Sequence, residues 1–246
     1  MTSQKNNDCP LGAGLLICIP TYNEKENVEA ISKAVLESVP GANVVIVDDN
    51  SPDGTGDIAD RMASEDQRVK VIHRKSKQGV GQAYIQAFKW ALKEGYSWVV
   101  TCDADFSHKP QYLPDLLEAM DNCDLAIGSR RVSGGGTENW GPHRRFISWG
   151  GSLYARTILG VGVVKDLTGG FNMYSRKLLS EIGLDDIVNI GFGFQIEMKY
   201  RAIKKGFRIS EVPILFPDRT SGTSKMSTGI FVEAMLSVWK IRKLVK

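Results

Sequence analysis

Residues 15–24 read LLICIPTYNE, an apolar run that ends in a proline and then in polar residues. Two other stretches have the same arrangement, VVIVDDNSPDG at 44–54 and WVVTCDADFSH at 98–108. A short apolar run without alternation is typical of a strand that is buried on both faces of a parallel sheet. The three stretches therefore predict three buried strands, each followed at its carboxyl end by a polar segment.

Helical patterns separate these strands along the chain. Apolar residues recur at helical spacing in 28–35 and again in 84–92. We expect the first of these helices to start with Asn23 as its cap, because Glu26 stands three residues later. The other predicted elements are helices at 58–62, 110–117, 148–159 and 194–205, and strands at 69–72, 125–127, 169–174 and 208–212. Strands that alternate with helices predict an α/β fold with a mostly parallel sheet and helices on both faces.

The composition is that of a globular protein: 42% of the 246 residues are hydrophobic and 24% are charged. We find no internal repeat and no linker, so we expect a single domain over 1–246, with 1–12 disordered. Residues 229–246 are expected to form an amphipathic helix. Its apolar stripe, as we interpret it, either lies on a membrane surface or packs on the protein's own body.

Charge is unevenly distributed. Residues 201–246 contain ten Lys and Arg against three Asp and Glu, although the whole chain has a net charge of only +3. A basic terminal segment indicates an anionic partner: a phosphate-bearing substrate, a membrane surface or nucleic acid. The basic residues are not interleaved with aromatics, which is weak support for nucleic-acid binding.

The cysteines and the apolar runs indicate the compartment. None of the four cysteines forms a C-x-x-C pair, and two of them stand in apolar runs, as free thiols do in a reducing environment. The longest uncharged run, 9–23, is shorter than the ~20 residues that a membrane helix needs. No small-residue cleavage site follows it. We therefore expect a cytoplasmic protein.

Asp103 and Asp105 are the strongest chemical signal. If the chain is extended there, alternation places both carboxylates on the same side. Two such groups repel each other unless a cation lies between them, and Mg²⁺ or Mn²⁺ suits hard oxygen ligands. The simpler alternative is a pair of turn aspartates. Because the other two predicted strands also end in polar residues, and ligands of parallel sheets bind at the carboxyl ends of strands, we favour the metal site.

Other polar residues at these ends suggest a nucleotide site. Asp49 is suited to accept hydrogen bonds from a base or ribose, although 48–54 is also rich in turn residues. Tyr22 is suited to stack on a base, and Glu24 either binds the nucleotide or caps a helix. Cations in loops or at element ends are candidates for phosphate binding because guanidinium matches phosphate oxygens. They are Arg130, Arg144, Arg145, Arg219 and Lys225. The chain has no G-x-x-x-x-G-K-[ST] loop and no complete dinucleotide fingerprint, which argues against an NTPase or a dehydrogenase.

These residues resemble those of a known family, the polyprenyl-phosphate (dolichyl-phosphate) mannosyltransferases, or polyprenol monophosphomannose synthases, of glycosyltransferase family 2. The resemblance runs from residue 19 to about 227. It rests on eight matching stretches: IPTYNE at 19–24, VDDNSPDGTG at 47–56, DADFSH at 103–108, GSR at 128–130, DLTGGF at 166–171, GFQIEM at 193–198, EVPILFPDR at 211–219 and SKMS at 224–227. It implies a GT-A (Rossmann-like) fold and an inverting, metal-dependent transfer of mannose from GDP-mannose to a polyprenyl monophosphate.

The resemblance also implies a role for each matching position. Asp105 and Asp103 would hold the metal. Arg130 would hold phosphates at the reaction centre. Asp105 and Arg130 are therefore the candidate catalytic residues. Arg144 would meet the acceptor phosphate together with Arg130. Residues implied to bind the nucleotide sugar are Pro20, Tyr22, Glu24, Val47, Asp49, Asp103, Ala104, Arg130, Arg219 and Lys225. The Gly- and Ser-rich segment 218–228 carries the last two and is expected to close over the donor.

The sequence departs from this pattern at two positions. Some relatives have Gln, a second metal ligand, where this chain has Ser107, and relatives often have Arg where it has Trp149. The first departure bears on metal coordination and the second on the acceptor site. A lipid substrate implies a peripheral position on the cytoplasmic face of the membrane and allows a membrane-anchoring partner protein. It implies no role in nucleic-acid binding.

Three alternatives stay open at the level of sequence. A UDP-glucose-dependent polyprenyl-phosphate glucosyltransferase has strongly overlapping motifs. A nucleotide-sugar-binding subunit without activity would share the donor residues but not turn over. A basic membrane or nucleic-acid module would not need the Asp103–Asp105 pair.

Overall fold

The structure is a computed structural model that describes residues 10–191, 193–217 and 228–245, without the side chains of 228–234. Residues 1–9 lie outside the described part. Within 10–12, which we grouped with the disordered terminus, the carbonyl of Leu11 accepts the amide of Gly41 at 2.7 Å.

A seven-stranded sheet forms the centre of the fold. Its strands are β1 (Leu15–Thr21), β2 (Asn43–Asp48), β3 (Val69–His73), β4 (Trp98–Thr101), β5 (Leu125–Ser129), β7 (Asn172–Ser175) and β8 (Ile209–Pro213), in the order β3-β2-β1-β4-β7-β5-β8. All neighbours pair in parallel except β7, which is antiparallel to both β4 and β5. A small second sheet pairs β6 (Gly136–Thr137) with β9 (Leu215–Phe216). The mostly parallel sheet predicted from the alternating pattern is confirmed.

Helices cover both faces of the large sheet. They are α1 (Val28–Ser38), α2 (Thr55–Glu65), α3 (Val80–Glu94), α4 (Leu113–Ala119), α5 (Pro142–Leu159), α6 (Arg176–Glu181), α7 (Gly193–Lys204) and α8 (Thr228–Leu244), with short 3₁₀ turns at Pro110–Tyr112 and Leu184–Asp186. One apolar core joins the sheet to α1, α2 and α4, and the other joins it to α3, α5, α6, α7 and α8. Burial on both sides explains why the strands read as continuous apolar runs.

Several predicted boundaries are wrong for identifiable reasons. Asn23 does not cap α1: its φ is 60°, and the helix starts five residues later after a turn. Residues 172–175 form β7, whereas 169–171 belong to a loop. α5 begins at Pro142, because proline suits the first turn of a helix, and not at 148. The α6 helix and the small sheet were not predicted, since they are too short to show a period.

The C-terminal helix α8 packs on the body of the protein. Val238, Ile241 and Val245 are buried in the same core as α5 and α7. The hydroxyl of Tyr154 on α5 accepts a hydrogen bond from Nε1 of Trp239 at 2.9 Å. For this half of the predicted apolar stripe, packing on the protein is therefore the correct alternative. Across the described ranges, no helix has both the length and the apolarity to cross a membrane.

Candidate active site

The three polar segments predicted at strand ends lie at one edge of the sheet. β2, β1 and β4 are adjacent and parallel, so the segments after Thr21, Asp48 and Thr101 all leave the sheet in the same direction. The hydrogen bonds between β1 and β4 continue one residue past the end of β4, since the amide of Cys102 donates to the carbonyl of Cys18 at 3.0 Å. The structure thus confirms that the sequence brings these segments together.

Asp48 ties the first two segments to each other. Its carboxylate accepts the hydroxyl of Thr21 at 2.9 Å and both the hydroxyl and the amide of Ser51, at 2.6 and 3.0 Å. The hydroxyl of Ser51 in turn accepts the amide of Asn23 at 3.0 Å. The turn chemistry at 48–54 is therefore real, and it fixes the loop that carries Tyr22.

A buried ion pair lies beside these loops. Asp49 pairs with Arg74, the residue that follows β3, and both side chains are buried. Burial raises the pKa of Asp49, and Arg74 offsets this only in part. Arg74 also donates to Oε1 of Gln78 at 3.2 Å, and Nζ of Lys77 lies 3.9 Å from the ring centroid of Tyr22. The result is a cluster of polar groups beside one half-exposed aromatic ring, that of Tyr22.

The other residues expected at the nucleotide differ in accessibility. Pro20 and Glu24 are half-buried at the sheet edge, and the carboxylate of Glu24 accepts the side-chain amide of Asn27 at 2.9 Å. Val47 has only 1% of its surface exposed and lies in the apolar core. A contact of Val47 with a ligand is therefore restricted to its main chain.

Asp103 comes two residues after the end of β4, and Ala104 and Asp105 form a turn, so the chain is not extended through Asp105 as the prediction assumed. Ala104 is buried and both carboxylates are partly exposed. Asp105 accepts the amide of Ser107 at 3.0 Å, and Tyr84 donates to Asp103 at 3.4 Å. Among the residues described, no third His, Cys, Asp or Glu completes a metal-binding cluster with them.

His108 holds the Asp103 turn in place. Its Nδ1 accepts the amide of Asp103 at 2.9 Å, and its ring stacks on Phe171 with centroids 4.9 Å apart. Burial lowers the pKa of His108, so the ring is neutral at neutral pH, with its remaining proton on Nε2. His108 thus orders the loop that carries Asp103 and Asp105, and its Nδ1 is occupied in doing so. Gly170 faces the ring so closely that a Cβ there would lie 3.2 Å from it.

Arg130 stands at the end of β5 in a buried ion pair. Its Nε and Nη2 donate to the two oxygens of Asp166, each at 2.8 Å, and Nη2 also donates to Thr168 at 2.9 Å. The Asp166 side chain is 0% exposed and that of Arg130 is 8% exposed. Burial alone would raise the pKa of Asp166, but Arg130 outweighs it and holds that pKa far below its ordinary value. The guanidinium is thus fixed before any ligand arrives.

Lys199 on α7 binds the main chain of the loop that carries Asp166. Its ammonium group donates to the carbonyls of Asp166 and Gly169 at 2.9 and 2.7 Å. Burial lowers the pKa of Lys199 to about 8, an effect that Asp166 partly offsets. Arg130 therefore pairs directly with the carboxylate of Asp166, and the charge of Lys199, which binds the main chain of the same residue, also lowers the pKa of that carboxyl group.

An aromatic pair connects Arg130 to Arg144. The rings of Trp140 and Phe216 meet edge-on at 5.7 Å. The Arg130 guanidinium lies 5.4 Å from the Phe216 centroid, and that of Arg144 lies 4.0 Å from the Trp140 centroid. Phe216 also meets His108 edge-on at 5.7 Å. This chain of contacts connects the segment that carries Asp103 and His108 to Arg130 and Arg144.

The remaining predicted site residues, Arg219 and Lys225, lie outside the described residues, as does the expected closing segment from 218 to 227. Four contributors to the site were missed at the sequence level. Arg74 could have been predicted from its position in the sequence, because it directly follows a predicted strand, as other site residues do. Asp166 opens the DLTGGF stretch at 166–171, but nothing in that pattern assigns it a role. Trp140 and Phe216 come together through the small sheet, which carries no sequence pattern.

The sequence pattern of the family described as "Glycosyl transferase family 2" matches residues 16–183. The undecaprenyl-phosphate mannosyltransferase of Micrococcus luteus is 50% identical over 91% of this chain and 92% of that protein. The polyprenol monophosphomannose synthase of Mycolicibacterium smegmatis is 47% identical over 92% and 87%, respectively. The dolichol-phosphate mannosyltransferase of Pyrococcus furiosus is 36% identical over 92% of this chain and 63% of its own length.

Solved structures of similar architecture come from glucosyl-3-phosphoglycerate synthase of Mycobacterium tuberculosis. The complex with Mn²⁺, UDP and phosphoglyceric acid has a TM-score of 0.68 at 17% identity, covering 96% of this chain and 80% of that one. The complex with Mg²⁺ and UDP also has a TM-score of 0.68 at 17% identity, covering 96% and 81%. At this identity the likeness shows the fold, and it confirms the expected GT-A architecture.

Proposed function

The chain belongs to glycosyl transferase family 2, and we propose that it transfers mannose from GDP-mannose to a polyprenyl monophosphate, giving polyprenyl-phosphate β-mannose. One observation carries the proposal. Two relatives named for mannosyl transfer to undecaprenyl phosphate or for polyprenol monophosphomannose synthesis match about nine-tenths of the chain at 47–50% identity. The geometry supports it, because the carboxylates of Asp103 and Asp105, the fixed guanidinium of Arg130 and the Asp49–Arg74 pair all follow strands at the carboxyl edge of the sheet.

The donor nucleoside is assigned to the edge of β1 and β2. Tyr22 offers a half-exposed ring there, and the buried Asp49–Arg74 pair offers a carboxylate oxygen and guanidinium N–H groups. Guanine presents neighbouring N–H donors and a carbonyl acceptor, which such a pair can match. Pro20, Glu24 and the main chain of Val47 complete this edge, and Arg219 and Lys225 are proposed to reach the diphosphate from the segment beyond β9.

A divalent cation, Mg²⁺ or Mn²⁺, is assigned to Asp103 and Asp105. The donor set fits, because two partly exposed carboxylates at a fixed turn are hard oxygen ligands that leave positions for substrate phosphates. When bound, such an ion supplies positive charge beside the leaving diphosphate. Complexes of the structurally similar synthase contain Mn²⁺ or Mg²⁺ with UDP, which supports a divalent ion at this kind of fold.

The acceptor phosphate is assigned to the space beside Arg130 and Arg144. A phosphate monoester has a second pKa near 6, so its oxygen is already an anion at neutral pH and needs no general base. This agrees with His108, whose Nδ1 is occupied by the Asp103 amide. The protein's contribution is then alignment and charge: Arg130, held by Asp166, keeps its position while an acceptor oxygen attacks the anomeric carbon in line and the configuration inverts.

A lipid acceptor requires that the acceptor site at Arg130 and Arg144 lies close to a bilayer. We propose a peripheral position on the cytoplasmic face of the membrane, with the exposed Lys240, Arg242 and Lys243 of α8 toward anionic lipid and a membrane-anchoring protein as a possible partner. Each basic residue near such a surface adds about 1 kcal/mol of attraction.

A substrate panel tests the proposed function. Purified protein is incubated with Mg²⁺ or Mn²⁺, a short-chain polyprenyl phosphate and one of several nucleotide sugars, including GDP-mannose and UDP-glucose. Lipid-linked hexose is then measured by mass spectrometry. We expect product with GDP-mannose. Product with UDP-glucose and none with GDP-mannose would instead support the glucosyltransferase, and binding of donor without any release of nucleotide would indicate an inactive subunit.

A further inference from the structure

A pocket of about 370 Å³ opens between α5 and the chain that follows β5. We call it the α5 pocket. Its lining consists of Arg130, Arg131, Val132, Gly135, Trp149, Ser152, Leu153, Arg156 and Lys165. Arg130 is the only one of these residues assigned above to the reaction. The pocket therefore adjoins the reaction centre and adds residues of its own.

Positive charge dominates this pocket. Of its four cations, Arg130 is paired with Asp166, but Arg131, Arg156 and Lys165 form no ion pair with any carboxylate in the described ranges. The carboxylate of Glu211 lies close by, but it accepts the main-chain amides of Lys165 and Asp166, at 2.7 and 2.9 Å. Asp166 also interacts electrostatically with Arg131, but its carboxylate is already paired with Arg130. The pocket thus has an excess of positive charge.

Two of these cations also contain buried donors with no acceptor. Nε of Arg131 and Nε of Arg156 are both inaccessible and have no hydrogen-bond partner among the described residues. The Nη2 atom of Arg131 donates to Ser148 at 2.7 Å, which holds the side chain in place. Burial, with Arg130 nearby, lowers the pKa of Arg131. Because these Nε atoms are covered, an anion in the pocket can meet only the other guanidinium nitrogens of the two partly exposed side chains. A phosphate, with several acceptor oxygens, suits such groups.

The outer side of the pocket is apolar. Trp149 and Leu153 line it and are 52% and 42% exposed, and Phe146 on the same face of α5 is 71% exposed. The three residues are spaced at i, i+3 and i+7, so they form one stripe. Ser152, Ala155 and Leu159 face the protein instead. A charged pocket with an apolar stripe at its mouth matches a ligand that has a phosphate head and a hydrocarbon chain.

We propose that the α5 pocket binds the phosphate head of the polyprenyl acceptor through Arg131, Arg156 and Lys165, with the first isoprene units lying on Trp149 and Leu153. This inference rests on the proposed function and adds five residues to its acceptor site. It also gives a role to Trp149, the position where the chain departs from the pattern it resembles. Loss of a guanidinium at Trp149 is compensated by the three cations behind it.

The test separates acceptor binding from donor binding. Arg131→Gln, Arg156→Gln and Lys165→Gln are each assayed for KM of a short-chain polyprenyl phosphate and for KM of GDP-mannose. We expect each variant to raise the acceptor KM about tenfold, which corresponds to about 1.4 kcal/mol, and to leave the donor KM within about twofold. The exposed Arg176→Gln on α6 is the matched control and should change neither.

A second variant set addresses the apolar stripe and folding. Trp149→Ala should raise the KM of a long-chain acceptor several-fold more than that of a short, water-soluble one. Arg131→Lys and Arg156→Lys keep the charge and should recover most of the acceptor affinity, while thermal unfolding checks that every variant is folded.

The outcomes are distinguishable. If the wild-type protein makes no lipid-linked mannose, the proposed function fails and takes this inference with it. If the wild type is active but the three Gln variants keep the wild-type acceptor KM, the proposed function stands and the pocket assignment is wrong. Equal increases in the donor and acceptor KM would show a structural role for these cations and would also overturn the assignment.

Discussion

Removing the carboxylate of Asp166 should destabilise the protein far more than an average substitution. Asp166 is 0% exposed and accepts hydrogen bonds from Nε and Nη2 of Arg130, from the Arg130 amide and from the amide of Gly169. Asp166→Ala would leave two buried cations, Arg130 and Lys199, without their common counter-charge. Breaking a buried ion pair in this way costs about 3–5 kcal/mol. The presence of the second cation points to the upper end of that range.

Such a loss is large against a total unfolding free energy of about 5–15 kcal/mol. Urea titration followed by circular dichroism measures it. Arg130→Met and the double variant Arg130→Met/Asp166→Ala complete a cycle. Because the double variant no longer contains Arg130, only Lys199 loses its counter-charge in it. It should therefore lose clearly less stability than the sum of the two single changes, by about 1.5 kcal/mol. It should nevertheless be inactive, since Arg130 is absent.

The pH dependence has a definite sign. The pKa of Asp166 in the folded protein is far below its unfolded value near 3.8, so the pair stabilises the fold above that pH. The contribution disappears as pH falls through the folded-state value. Acid should therefore destabilise the wild type more steeply than the double variant. Additive losses around the cycle, or identical acid profiles, would refute the view that Asp166 anchors Arg130.

Three other changes test separate parts of the account. Asp105→Asn should lower kcat by roughly 10²–10³ with an unchanged melting temperature, and full chelation of divalent ions should have a similar effect on the wild type; near-normal activity in either case would contradict the metal role. Gly170→Ala should push its Cβ against the ring of His108, 3.2 Å away, and lower kcat roughly tenfold, whereas Gly162→Ala, which meets no atom within 4 Å, should not. Replacing the four C-terminal cations by Gln should weaken sedimentation of the protein with anionic liposomes at low salt. Activity on a water-soluble acceptor should not change. Unchanged sedimentation would show that α8 is only a part of the fold. These cations are Lys240, Arg242, Lys243 and Lys246.

The fold and the edge that carries the site were predictable, because both depend on local pattern. Apolar runs such as 15–19 specify buried strands, and polar residues directly after them must then lie at the carboxyl edge of the sheet. The positions of Asp49, Asp103 and Asp105 follow from this pattern without knowledge of any long-range contact. It also explains why Arg74 was accessible in principle, since it follows β3 in the same way.

The rest of the site depends on contacts between distant parts of the chain. Asp166 meets Arg130 across 36 positions of sequence, and Trp140 meets Phe216 across a two-residue strand pair that has no periodic signature. The start of α1 was misplaced because Asn23 takes part in the loop-to-loop contact with Ser51 and adopts a positive φ. Local capping rules cannot anticipate a residue whose conformation is set by a neighbouring strand end.

The central claim is that mannose moves from GDP-mannose to a lipid phosphate oxygen. The most direct measurement uses GDP-mannose labelled with ¹³C at the anomeric carbon, a short-chain polyprenyl phosphate and the purified protein with Mg²⁺ or Mn²⁺, followed by ¹³C and ³¹P NMR of the lipid product. The account predicts a phosphodiester in which the labelled carbon couples to phosphorus and has the β configuration, formed together with an equal amount of GDP. Label recovered only as free mannose, or on a hydroxyl group with the lipid phosphate unchanged, would contradict it.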